Sequence, residues 1–203
     1  MFEYVSDVAF TPTVKRFQET KGSRKGYARM EEKAGWQSTV TDELANFIAE
    51  RDSFYLGTAN ADGQPYIQHR GGKPGFLKVI DEKTLAFADF RGNRQYISDG
   101  NLKGQDRIAL ILVDYPNSAR IKIFGRARLS DDPALIARLR DDGYRARVER
   151  AVVITVEGFD WNCPQHLPVR LTIEELEPVL APIRKELADL KAENAALKAR
   201  LEK

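Results

Sequence analysis

At Ser53 the chain changes period. Upstream, Leu44, Phe47 and Ile48 fall on one face of an amphipathic helix that Thr41 caps and that ends near Asp52. From Ser53 onward Phe54, Leu56 and Thr58 alternate with Ser53, Tyr55 and Gly57, the period of two of a half-buried strand. Strand-like segments then recur at short intervals, each closed by turn chemistry. Asn60-Ala61-Asp62-Gly63 turns the chain into a second strand through Tyr66, Ile67 and Gln68. Gly71, Gly72, Pro74 and Gly75 interrupt that strand, after which Phe76 to Ile80 and Thr84 to Phe90 pair across Asp81-Glu82-Lys83. A short helix follows through Tyr96 and Ile97 toward Leu102. Two further strands run from Arg107 to Val113 and from Ala119 to Ser130. Asp131-Asp132-Pro133 starts another helix, and Ala151 to Val156 returns to strand. Short strands with few helices between them argue against a doubly wound parallel sheet. They predict a mainly β fold with flanking helices, an antiparallel sheet that is closed or nearly so.

The flanks differ from this centre. Residues 1–40 are polar and read as an irregular arm with a basic loop, Gly22 to Tyr27. At the other end Ile183, Leu187, Leu190, Asn194, Leu197 and Leu201 are spaced 4, 3, 4, 3, 4, a heptad seam with Leu187, Asn194 and Leu201 at a. Glu186 and Glu193 at g face Lys191 and Lys198 at e' of a parallel partner, and a buried Asn at a favours a parallel dimer in fixed register. The seam spans roughly 28 Å at ~1.5 Å per residue, so it needs a domain dimer to hold it.

Composition narrows the partners. The 32 basic and 30 acidic residues nearly cancel, so no nucleic-acid or membrane-surface role is expected. No run is long and apolar enough to span a bilayer, and the N-terminus has no basic start followed by an apolar block, so no signal peptide is expected. The single cysteine, Cys163, rules out an intramolecular disulfide and suits a reducing cytoplasm. With His69 and His166 it makes no zinc-ligand pattern, and no metal is expected.

No P-loop, GxGxxG after a strand, HExxH or GxSxG occurs, so a protein-borne nucleophile is not indicated and no catalytic residue is assigned. What remains is glycine-bracketed basic and polar clusters at strand ends: Gln68-His69-Arg70-Gly71-Gly72, then Asp89-Phe90-Arg91-Gly92-Asn93-Arg94-Gln95, and Arg120 on the long strand. Glycine admits close backbone approach to a ligand, arginine matches phosphate oxygens, and a helix start after Gly92-Asn93 aims N–H groups at an anion. On composition alone, solvated turns with ordinary surface arginines are the better account of these clusters, which are common.

Their order changes that balance. Gly63-Gln64-Pro65, Gly92-Asn93-Arg94, Asn101-Leu102 and Ile123-Phe124-Gly125-Arg126-Ala127, in this sequence and spacing, resemble the pyridoxamine 5'-phosphate oxidase-like family of FMN-binding split barrels over about residues 41–170. The resemblance implies an antiparallel split β-barrel and a homodimer in which both chains build each FMN site. By position it implies Gln68, His69 and Arg70 on one flavin strand and Ala88 and Asp89 on a second. Asn93, Arg94 and Gln95 match the phosphate region, while Arg120 stands where the oxidase proper has glutamine. Trp161-Asn162-Cys163-Pro164-Gln165-His166 resembles a segment of one branch of the family that follows the last strand, which would bring Asn162 and Cys163 to a flavin edge. The loop at Gly22 to Tyr27 reads first as solvated; as an arm over the site it would offer Ser23 and Arg24 to substrate or phosphate. The expected organisation is a 1–40 arm, a 41–172 FMN-binding split barrel and a 173–203 dimerising coiled-coil helix. The expected activity is an FMN-dependent oxidation or reduction of an unidentified small molecule. The alternative is a barrel that binds flavin, or haem, without turnover.

Overall fold

The computed structural model describes residues 3–201. Seven strands form one antiparallel sheet: β1 (Ser53–Ala59), β2 (Pro65–Gly71), β3 (Lys78–Asp81), β4 (Thr84–Phe90), β5 (Arg107–Asp114), β6 (Ala119–Ser130) and β7 (Val148–Trp161). Their spatial order is β2-β1-β5-β6-β7-β4-β3. The helices are α1 (Pro12–Thr20), α2 (Arg24–Lys33), α3 (Asp42–Ala49), α4 (Ile97–Gly104), α5 (Pro133–Leu139) and α6 (Ile173–Leu201).

Local chemistry accounts for several of these boundaries. The Thr41 hydroxyl accepts the Leu44 N–H at 3.2 Å to start α3, which buries Leu44 and Ile48. Asp132 caps α5 in the same way, with Pro133 in its first turn. Alternation along β5 buries Ile108, Leu110 and Leu112. Gly125 sits at a bulge between β6 and β7, where a Cβ would lie 2.2 Å from the Thr155 carbonyl oxygen. Only glycine fits that approach.

The sheet rolls on itself. Strands β1 and β4 are separated by three others in the hydrogen-bonded order, yet Phe54 of β1 meets Phe87 of β4 edge to face at 5.2 Å, and Phe76 stacks on Phe54 at 5.3 Å. Beside them Arg70 of edge strand β2 bonds Asp89 of β4 at 2.6 Å. Side chains rather than a backbone ladder bridge the gap, so the barrel is split, not closed. A smaller cluster of Ala86, Ala88, Ala151 and Val153 packs outside the sheet against Leu139 of α5.

Four boundaries correct the sequence reading. The arm is not irregular: a 3₁₀ turn at Val5–Val8 precedes α1 and α2. Buried Glu31 joins the pieces, accepting from the Ser6 hydroxyl at 2.8 Å and pairing with Arg24. Strand β2 continues through Gly71, and β3 begins at Lys78 because Phe76 and Leu77 turn into the core. Strand β7 runs to Trp161, so the Trp161-Asn162-Cys163 segment starts within the last strand instead of after it.

Helix α6 buries no residue and carries Pro178 and Pro182 in its interior. Ile183, Leu187, Leu190 and Leu197 are each about half exposed, at 56%, 51%, 55% and 48%. Among the described residues, no helix is long and apolar enough to cross a membrane.

Candidate functional site

Strand alternation sorts the candidate residues. On β2, Gln68 and Arg70 face a cleft of about 240 Å³ that Asp89 and the loop between β4 and α4 also line. Asp89 is buried, and burial raises its carboxyl above the ordinary range, with nearby Asp99 adding to the rise and Arg70 opposing it. Arg70 donates to Asp89 but keeps a buried Nε without a partner. Behind this pair Arg150 of β7 lies 3.2 Å from Asp99 in the first turn of α4. Ser98, also in that turn, donates to the Gln68 side-chain oxygen at 2.7 Å and fixes its amide.

The loop from Gly92 to Tyr96 closes the cleft. Arg94 and Tyr96 both adopt left-handed backbone, φ 65° and 54°, a conformation that costs non-glycine residues energy and concentrates where ligands bind. The Asn93 side chain accepts the Gln95 N–H at 3.2 Å. No side chain caps α4, so its first N–H groups are available to an anion. Arg94 lines the cleft with no carboxylate within 4 Å among the described residues, whereas Arg70 is paired. The cleft therefore has one cationic side chain uncommitted, beside an uncapped helix start.

Other candidates lie elsewhere in the chain. His69 points from the opposite face of β2 to Gln68 and Arg70, edge-on to Tyr55 at 5.5 Å, in a groove with Arg51 and Asp114. Ladder register continues its row through Tyr55, Ile111, Lys122 and Asp160 on the outer face. Arg120 faces the same way at the start of β6. It donates to the Cys163 carbonyl at 3.4 Å, and its own carbonyl accepts the Asn162 N–H at 3.1 Å. Cys163 is exposed. Ala88 turns its side chain into the cluster beneath α5, leaving only its backbone on the Asp89 side. Arg24 is engaged by Gln18 at 2.7 Å and by Glu31 inside the arm, and Ser23 sits at the start of α2.

One chain thus gathers Gln68, Arg70, Asp89, Asn93, Arg94 and Gln95, and sets His69, Arg120, Asn162 and Cys163 on or beside the outer face. The sequence reading missed Ser98, Asp99 and Arg150. Only the register of β7 against β4, Arg150 opposite Asp89, brings the last of them to the cleft. Among the described residues no three of His, Cys, Asp or Glu sit together as metal ligands would.

Comparison with known proteins places this arrangement. Residues 40–167 match the family model described as pyridoxamine 5'-phosphate oxidase. Among solved structures the chain is similar to HupZ of Group A Streptococcus, at 20% identity and a TM-score of 0.50, over 65% of this chain and 99% of that one. It is also similar to a protein of the pyridoxinephosphate oxidase family from Clostridium acetobutylicum, related to general stress protein 26 (20% identity, TM-score 0.46, 66% and 94% covered). A third is an FMN-binding protein from Syntrophomonas wolfei (14% identity, TM-score 0.47, 71% and 97% covered). No curated protein matches the sequence.

Proposed function

The chain belongs to the pyridoxamine 5'-phosphate oxidase family, and from that premise we propose that it is an FMN-dependent oxidoreductase acting on a small organic molecule. The observation that carries the cofactor assignment is the uncommitted Arg94 beside the uncapped start of α4. A phosphate fits such a place, because free N–H groups meet there a cation that has no carboxylate within 4 Å among the described residues, while the carboxylates of the lining, Asp89, Asp99 and Glu149, are paired with Arg70, Arg150 and Arg91.

When bound, FMN supplies the hydride and electron transfer. The residues around it bind and orient. Arg94, with Gln95 and the first N–H groups of α4, holds the phosphate. Gln68, its amide oxygen held by the Ser98 hydroxyl, lines the cleft. Arg70 is tied to Asp89 and braces the wall. Arg120, with no carboxylate within 4 Å among the described residues, is then the arginine with charge to offer to a reduced ring.

We further propose that the site is shared in a homodimer, the cleft of one chain meeting the Arg120 and Asn162 face of the other. Exposed Ile67 and Tyr55 on the outer face of β2 and β1, at 69% and 41%, suit such an interface. The α6 seam suits a parallel pairing across the same axis, with Asn194 fixing register. A cytoplasmic setting suits a chain whose one cysteine is exposed.

The test is the absorption spectrum of the protein as purified. A flavin spectrum that bleaches with NAD(P)H or a substrate, and released cofactor that proves to be FMN, supports the proposal. A colourless protein that takes up no FMN contradicts it, and a flavin spectrum that no reductant bleaches favours a carrier without turnover.

A further inference from the structure

A second cavity lies where the N-terminal arm covers the outer face of β6 and the end of β7. Its volume is about 670 Å³, within the usual range of ligand sites. Its walls are aromatic: Trp36 stacks on Phe124 at 5.4 Å with 12° between planes, and Tyr27 and Trp161 line it from either side. Phe10 wedges between Tyr27 and Trp36, at 5.2 and 5.3 Å, and holds the arm in place.

The charged groups at this cavity are mostly acidic. Asn162 donates its amide to Asp160 Oδ2 at 3.1 Å. Its Oδ1 is then turned the other way, buried and without a partner. Flipping the amide would set oxygen against the carboxylate, so chemistry fixes this orientation. Asp160 has no cation within 4 Å among the described residues. Burial pushes its carboxyl up, and only the more distant charge of Lys122 opposes that. Glu43 adds a second carboxylate, so the lining carries two acids against one lysine. An unpaired carboxylate with a second acid in the same lining, boxed by electron-rich ring faces, calls for a donor-bearing cation.

We propose that this cavity binds a flat aromatic or heteroaromatic molecule carrying a protonated nitrogen, the ring lying among Trp36, Phe124 and Trp161 and the nitrogen donating to Asp160. The cavity adjoins Arg120 through the bond from the Asn162 N–H to its carbonyl. Its occupant is the small molecule that the flavin reading leaves unnamed; in that role the assignment rests on that reading, but binding itself does not require flavin.

The chain has two tryptophans, Trp36 and Trp161, and both line this cavity. The full-length protein labelled with nitrogen-15 therefore reports occupancy through its two indole N–H resonances. These are followed while 2-naphthylmethylamine or the matched anion 2-naphthoate is added, before and after FMN reconstitution. Both resonances should shift saturably with the amine, and the amine should bind at least about tenfold more tightly than the naphthoate. Asp160→Asn should remove most of that preference while the rest of the spectrum stays folded. Unmoved indole resonances, or naphthoate binding as well as the amine, would overturn the proposal. FMN uptake is read separately by absorbance, so failure of the flavin reading leaves this result standing on its own.

Discussion

The cleft behind Arg94 and the cavity beneath the arm lie on opposite faces of one sheet and are built in opposite ways. The cleft is small, and each carboxylate in its lining is paired: Asp89 with Arg70, Asp99 with Arg150 behind it, and Glu149 with Arg91. It leaves one cation over. The cavity is nearly three times larger by volume, walled by rings, and leaves acceptors over. A sheet whose side chains alternate can present an anion site on one face and a cation site on the other within a few residues. Which face a residue serves is set by its parity along the strand.

The contrast is tested most severely by breaking the paired wall of the cleft. Arg70→Ala or Asp89→Ala leaves an uncompensated buried charge and should cost about 3–5 kcal/mol in urea denaturation. The apolar pair Arg70→Met with Asp89→Leu should recover most of that loss. The wall also has a pH signature. Because the folded-state pKa of Asp89 is raised, the folded protein holds that proton more tightly than the unfolded chain does. Its contribution is therefore full below the ordinary carboxyl pKa of about 3.9 and falls as pH rises through the raised value. The stability of wild type relative to Asp89→Asn should accordingly increase as pH is lowered from neutrality. If the difference does not change with pH, the carboxyl is not displaced upward.

A smaller effect should fall on binding alone. Arg94 is exposed and unpaired, so Arg94→Ala should leave the urea midpoint within about 0.5 kcal/mol of wild type. FMN affinity should fall by roughly 1.5–3 kcal/mol, the worth of a charge-assisted hydrogen bond. On the other face Trp36→Ala removes the stack on Phe124 and should loosen the arm by roughly 2 kcal/mol. FMN affinity should be unchanged when measured by calorimetry. The smallest change is Asp132→Ala, which removes the α5 cap away from both sites and should cost about 1 kcal/mol while altering neither.

The parts of this arrangement that depend on neighbours in sequence were legible there. The Thr41 and Asp132 caps, the limits of β6 and the break at Gly92–Gln95 before α4 all follow from local residue chemistry. The segregation of His69 from Gln68 and Arg70 also lay in the sequence, since a period of two forbids three successive residues from facing one ligand. The helices of the arm were harder. Thr11 caps Val14 ahead of Pro12, a start signal that the polar composition masks, and α2 buries Glu31 rather than an apolar stripe. Hydrophobic periodicity has nothing to report where a buried carboxylate, a serine and an arginine hold the pieces together. The Arg70–Asp89 and Asp99–Arg150 pairs depend on the roll of the sheet and the register of β7, which no local pattern encodes. The aromatic cavity needs both the arm and the sheet, so Trp36 and Phe124 meet only in the folded chain.

The central claim is that the Arg94 cleft holds a phosphate. It is tested most directly by calorimetric titration of the cofactor-free protein with FMN and, separately, with riboflavin, which lacks only the phosphate. FMN should bind at least about tenfold more tightly, and Arg94→Ala should reduce that advantage while leaving riboflavin binding as it was. Equal affinity for the two ligands, or an FMN advantage that survives intact in Arg94→Ala, would contradict the assignment.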